Sequence, residues 1–137
     1  MFEAEKDKYL MKHGFGATRL KAVLFDMDGV LFDSMPNHAY SWSHAMTQFG
    51  LHITPEEAYM HEGRTGGGTI DLLAQRDWGR RATEEEKQTI YKAKSDVFSR
   101  CPEAPRMPGA YELLKKVKAD GFTPMVVTGS GQVSHFP

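Results

Sequence analysis

Leu20-Lys21-Ala22-Val23-Leu24-Phe25-Asp26-Met27-Asp28-Gly29-Val30-Leu31-Phe32-Asp33-Ser34 is the stretch on which the reading of this chain turns. Residues 20 to 25 are dominated by apolar side chains, and the run breaks abruptly into Asp26-Met27-Asp28-Gly29. Apolar on both faces and then polar at its end is the pattern of a buried parallel strand whose carboxyl end meets a site. A second run of this kind, Phe122 to Val127, ends at Thr128-Gly129-Ser130-Gly131.

Residues 36 to 100 read as consecutive helices. Ala39, Trp42, Ala45, Met46 and Phe49 recur at helical spacing, and Gly50 stops that run. Thr54-Pro55-Glu56-Glu57 supplies a cap, a proline at the first helical position and a capping-box acid. Gly66-Gly67-Gly68 reads as a break before a short helix marked by Ile70, Leu73 and Ala74. Thr83 with Glu86 makes a further capping box, and Ile90, Tyr91, Val97 and Phe98 form the apolar stripe of the helix it opens. Glu84-Glu85-Glu86 then lies in a first turn, where the helix dipole favours negative charge. Trp42 and Trp78 are read as core or interface residues. Cys101 to Met107, ending at Pro108, has three prolines in eight residues and reads as a linker. Pro108 is expected in the first turn of the helix that follows, with Ala110, Leu113, Leu114 and Val117 as its buried stripe and Gly121 as its stop. Residues 2 to 13 form a charged helix candidate ended by Gly14 and Gly16, read as a solvated N-terminal extension.

The order is therefore strand, inserted helical block, linker, helix, strand, which predicts an α/β fold. Two such strands lie parallel through a right-handed crossover, placing Asp26 and Asp28 beside Thr128 and Ser130. The carboxyl edge of an α/β sheet is where ligands bind, and the helical block is placed to cover it.

The chain has 137 residues, about one domain's worth, with 17 basic and 18 acidic residues mixed along it. That balance gives no reason to expect nucleic acid or an anionic membrane surface as a partner. No apolar run approaches the roughly 20 residues that span a bilayer. The charged start, Met1 to Asp7, lacks a signal-peptide core, and Cys101 is the only cysteine, so no internal disulfide forms. A cytoplasmic location is the resulting expectation.

Phosphoryl transfer needs an in-line nucleophile, a proton donor for the leaving oxygen, and donors around the equatorial oxygens. Asp26 at a strand end suits the first role, through an aspartyl phosphate. Asp28, two residues on, suits the second, as general acid and then base. Carboxylates so close call for a divalent cation, and a hard oxygen site suits Mg2+. Gly29 frees the turn and lets amides approach phosphate, while Thr128 and Gly129 offer a hydroxyl and an amide to the same oxygens. Asp-x-Asp-Gly alone also occurs in loops and calcium sites. Its strand context and the second strand's Val126-Val127-Thr128-Gly129-Ser130 give it weight.

The string Val23 to Ser34 closely resembles the first motif of haloacid-dehalogenase-like hydrolases, in the branch that contains beta-phosphoglucomutase and phosphoglycolate phosphatase. Val126 to Ser130 resembles the second motif, and the likeness runs from about residue 20 to residue 134. It implies a Rossmann-like parallel core, incomplete in this chain, made of residues 20–34 and 105–137. Residues 35–104 would be an inserted helical cap, and 1–19 an extension. By that likeness Asp26 is nucleophile and magnesium ligand, and Asp28 is general acid/base and lends the metal its backbone carbonyl. Thr128 binds the transferring phosphoryl group. His38 falls where mutase-like members carry a histidine, and an ordinary helix histidine is the other reading. Glu62-Gly63-Arg64-Thr65-Gly66 resembles the substrate-specificity loop, where Arg64 is either a contact to a second phosphate or carboxylate or a surface arginine.

The family's third-motif lysine and fourth acidic motif lie beyond the second motif, and here nothing after Asp120 is Lys, Arg, Asp or Glu. The expectation is a truncated chain, inactive alone, whose two strands expose apolar faces that self-association could cover. The expected lineage is a Mg2+-dependent phosphohydrolase acting on a small phosphorylated metabolite. A phosphosugar mutase is one rival, and a non-catalytic binding protein on a degenerate scaffold is another.

Overall fold

A computed structural model describes residues 2–131; the last six residues expected in the core, 132–137, lie outside the described residues. The chain runs α1 (Phe2–His13), β1 (Ala22–Phe25), α2 (Met35–Met46), α3 (Pro55–Met60), α4 (Gly66–Asp77), α5 (Glu84–Phe98), α6 (Ala110–Ala119) and β2 (Thr123–Val126). The strands pair in parallel, with Ala22 opposite Thr123 and Phe25 opposite Val126. The pairing continues past both ends, because Val127 N–H donates to Phe25 O at 2.8 Å. Asp26 and Thr128 therefore leave the sheet at the same edge, as the α/β reading required.

Apolar burial falls into two clusters. Ala45, Met46, Leu51, Ile70, Leu73 and Ile90 pack with other residues of the helical block, while Phe25, Leu31 and Val117 form a smaller cluster under the strands. The segments entering and leaving the helical block run side by side: Asp33 N–H donates to Pro105 O at 2.8 Å and Met107 N–H to Leu31 O at 2.9 Å. The strand pair is thinly covered. Leu24 is 64 % exposed and Val127 56 %, an apolar rim of the kind that further strands or helices normally bury. For the same reason the expected stripe of α6 is only partly realised. Val117 is buried, Ala110 and Leu114 are half-buried, and Leu113 is exposed, since two strands are too narrow to roof a whole helix.

Three local expectations are corrected. Thr54 accepts the Glu57 N–H at 3.1 Å, but the Glu57 carboxylate turns to Arg76, at 2.6 Å, and no box closes. Pro108 lies outside α6, which starts after Gly109 in the left-handed region (φ 80°). Gly66-Gly67-Gly68 is the first turn of α4 rather than a break, capped by Thr65, whose hydroxyl accepts the Gly68 N–H. The glycine at 66 has a packing reason, since a Cβ there would run into the Tyr91 ring. Gly66→Ala should therefore lower stability by about 1–3 kcal/mol in urea unfolding, against the ~1 kcal/mol gain that helix propensity alone predicts. A stabilised variant would show that the ring yields freely. The Thr83–Glu86 capping box forms in both directions, as read.

Candidate active site

The carboxyl ends of the two strands and the facing helices enclose a cavity of about 450 Å3. Its wall contains Asp26, Asp28, His38, Arg64, Thr128, Gly129 and Ser130, so residues more than 100 positions apart meet there. Gly29 stands just outside. Its φ of 73° makes the turn, and its N–H donates to Phe32 O at 2.8 Å, so the amide is engaged within the turn. A Cβ at Gly29 would come within 3.0 Å of Glu62 Oε1, which shows how closely the loop before α4 approaches the first motif.

Asp26 follows the last residue of β1 and is exposed, with Oδ1 accepting the Met27 N–H at 2.7 Å. Asp28 is half-buried and firmly held: Oδ1 accepts from Ser34 Oγ at 2.5 Å and pairs with His38 Nε2 at 3.0 Å. His38 Nδ1 in turn lies 2.8 Å from Lys94 Nζ, on the opposite helix. An ammonium has three donors and no acceptor, so Lys94 donates to Nδ1 and the imidazole proton must sit on Nε2, aimed at Asp28. The result is one directed chain, Lys94 to His38 to Asp28, running from α5 through α2 to the strand end.

The electrostatics follow from that chain. Burial by itself would raise the Asp28 carboxyl, but the His38 and Ser34 hydrogen bonds, with the charge of Lys94, outweigh it and hold Asp28 below the ordinary carboxylate range. Lys94 is buried among the rings of Trp42, Tyr91 and Phe98, with Nζ 4.7 Å from the Phe98 centroid. Burial pushes it down from 10.5 to about 8, despite the opposing pull of Asp28 and Cys101. Thr128 Oγ1 accepts the Ser130 N–H at 3.0 Å, ordering the second-motif turn. Arg64 lines the cavity and is exposed.

Ser34 and Lys94 are the site neighbours that sequence reading did not assign. Ser34 read as part of a motif rather than as a partner for Asp28. Lys94 was not singled out, yet a signal was present. Ile90, Lys94 and Phe98 are spaced four apart, so the lysine lies in the middle of the apolar stripe and faces inward.

Asp26 and Asp28 are hard oxygen donors of the kind Mg2+ takes. Among the described residues, however, no group of three or more His, Cys, Asp or Glu is arranged to hold a metal, and Asp28 Oδ1 is already shared by Ser34 and His38. The described donors suit the ion in kind but do not complete a site.

Residues 20–134 match the model of the haloacid dehalogenase-like hydrolase family. The chain belongs to that family. The phosphoglycolate phosphatase of Haemophilus influenzae (strain 86-028NP) is 30 % identical over 119 residues, which are 81 % of this chain and 52 % of that protein. A solved structure from Bacteroides vulgatus, provisionally named a beta-phosphoglucomutase, is 55 % identical with a TM-score of 0.84, covering 96 % of this chain and 57 % of that one. A beta-phosphoglucomutase from Clostridium difficile shares the fold, with a TM-score of 0.71 at 20 % identity over 85 % of this chain and 56 % of that one. The chain thus spans about half the length of the curated relatives it matches. Among the described residues no helix is long and apolar enough to cross a membrane.

Proposed function

We propose that this chain carries the nucleophile half of a phosphohydrolase site, in which Asp26 attacks a small phosphomonoester and Asp28 moves the protons. The observation that supports it best is the meeting, at one cavity, of an exposed strand-end carboxylate, a second carboxylate held by Ser34 and His38, and the Thr128–Ser130 turn. An Asp26 oxygen bonds to phosphorus as the ester P–O bond breaks, giving an aspartyl phosphate and an alcohol whose oxygen takes a proton from Asp28. Asp28 then accepts a proton from the water that attacks the aspartyl phosphate, releasing inorganic phosphate. Held as it is, Asp28 is ionised and ready as a base. Acting as the acid requires the Ser34 and His38 contacts to loosen, which ties the first step to movement of the helical block.

We propose residues 35–104 as a cap over a core of 20–34 and 105–137, with 1–19 as an extension; the two separate apolar clusters support that division. Mg2+ is the proposed cofactor, and this chain would bring it the Asp26 carboxylate and the Asp28 carbonyl. Residues 121–137 contain no Lys, Arg, Asp or Glu and so add no further charged donor to the ion, while Lys94 and Arg64 are the cations in the cavity wall. Self-association or further strands would cover the exposed rim around Leu24 and Val127.

The test is phosphate release from a panel of phosphomonoesters and phosphoanhydrides, with Mg2+ and with chelator, by the chain alone and by the chain fused to the C-terminal half of its Bacteroides vulgatus relative. Mg2+-dependent release by the fusion supports the reading, and none on any substrate contradicts it. In the fusion, Asp28→Asn should lower turnover by about 10^2–10^4-fold while the protein still folds; near-normal rates would remove Asp28 from proton transfer.

The 55 % identity to a protein provisionally named a beta-phosphoglucomutase favours a second reading, in which the phosphoryl group passes from Asp26 to another sugar hydroxyl. Phosphate release without isomerised sugar phosphate would exclude it.

A further inference from the structure

We propose that Tyr91 sets the size of the substrate the cavity admits, an assignment that rests on the phosphohydrolase reading above. Tyr91 belongs to α5 and forms part of the cavity wall. Its ring is pinned from several sides. Its Cδ2–Cε2 edge lies against the α4 backbone at Gly66, where no Cβ fits between them. Trp42 stands against it, with centroids 6.3 Å apart and planes at 60°. The far end of the ring reaches the segment after β2, where a Cβ built on Gly131 would lie 3.5 Å from the Tyr91 hydroxyl oxygen and 3.6 Å from Cε1.

Tyr91 therefore spans from the helical block to the turn that carries Thr128 and Ser130, and it closes the cavity along that side. An aromatic side chain has only two side-chain torsions and gives up little entropy when fixed, so a ring held in this way makes a stiff wall. Glycine at 66 lets the wall stand where it does, while at 131 a Cβ would only rest in ordinary contact with the ring. One helical turn further on, Lys94 Nζ lies 5.8 Å from the ring centroid, so wall and cation flank the same space. A phosphorylated group held at Thr128–Ser130 must then keep its remaining atoms short of Tyr91, which selects small esters over bulky ones.

The experiment compares binding of inorganic phosphate and phenyl phosphate, by NMR titration of the Trp42 indole, to the chain fused to the C-terminal half of its Bacteroides vulgatus relative. It is run on the parent fusion, Tyr91→Phe, Tyr91→Leu and Tyr91→Ala. The parent and Tyr91→Phe should favour inorganic phosphate. Tyr91→Ala should shift the affinity ratio toward phenyl phosphate by about tenfold or more, the scale on which a pocket wall discriminates. Tyr91→Leu keeps packing on Gly66 but cannot reach Gly131, and it should shift the ratio in the same direction if the alanine variant does not fold. An unchanged ratio in both truncations overturns the role of Tyr91 and leaves the phosphohydrolase reading standing. A parent fusion that binds neither probe overturns that reading and this assignment with it.

Discussion

At pH 7, Lys94→Met is expected to unfold at a higher temperature than the parent chain. Lys94 is among the most deeply buried side chains in the protein, and burial pushes its ammonium from 10.5 to about 8 even with Asp28 nearby. Because the folded value lies below the unfolded one, the charged lysine opposes folding. That opposition is absent above about 10.5, grows as pH falls towards about 8, and is constant below it. The size is on the order of 3 kcal/mol, and leaving His38 Nδ1 without its donor returns about 1 kcal/mol. The net gain is then about 2 kcal/mol, or roughly 5–10 °C in Tm. Thermal melts of both proteins from pH 7 to 10.5 check it, and the gap should close as pH rises. A destabilised variant, or a gap independent of pH, would mean that the pair with His38 more than offsets the cost of burial. A lysine that weakens the fold while fixing the tautomer next to Asp28 is more simply explained by chemistry than by architecture.

Asp26→Asn should remove turnover from the fused protein, by roughly 10^4-fold or more, as loss of a covalent nucleophile does. The substitution keeps shape and removes charge at an exposed position, so stability should stay within about 0.5 kcal/mol of the parent. The two results separate the carboxylate and the lysine by kind: Asp26 is needed for the reaction and indifferent to the fold, and Lys94 is costly to the fold. Substantial residual turnover in Asp26→Asn, with the asparagine verified by mass, would move the nucleophile elsewhere.

Much of this was legible in the residues themselves, and the reasons differ by element. β1 and β2 could be read because each is an apolar run that ends in polar groups, a change too abrupt for a helix. Their parallel pairing followed from the helix between them. The start of α5 could be read because Thr83 and Glu86 satisfy each other's backbone groups without help from anything distant. Features that depend on distant contacts were hidden. Gly66 to Gly68 read as a break because glycine is a poor helix former; Thr65 caps the turn they form, and the Tyr91 ring, 25 positions on, explains the missing side chain at 66. Glu57 read as a capping acid until Arg76 took it. Lys94 went unassigned, because its partner His38 lies 56 positions away. The exposed side of α6 reflects how little sheet lies beneath it, which no local pattern records.

The most direct test of Asp26 as nucleophile is to quench the fused protein during turnover with borohydride, which reduces an aspartyl phosphate to homoserine, and to map the product by peptide mass spectrometry. Asp26 converted to homoserine only when substrate and Mg2+ are both present is the predicted result. Active turnover with Asp26 left intact, or homoserine at Asp28 instead, would contradict it.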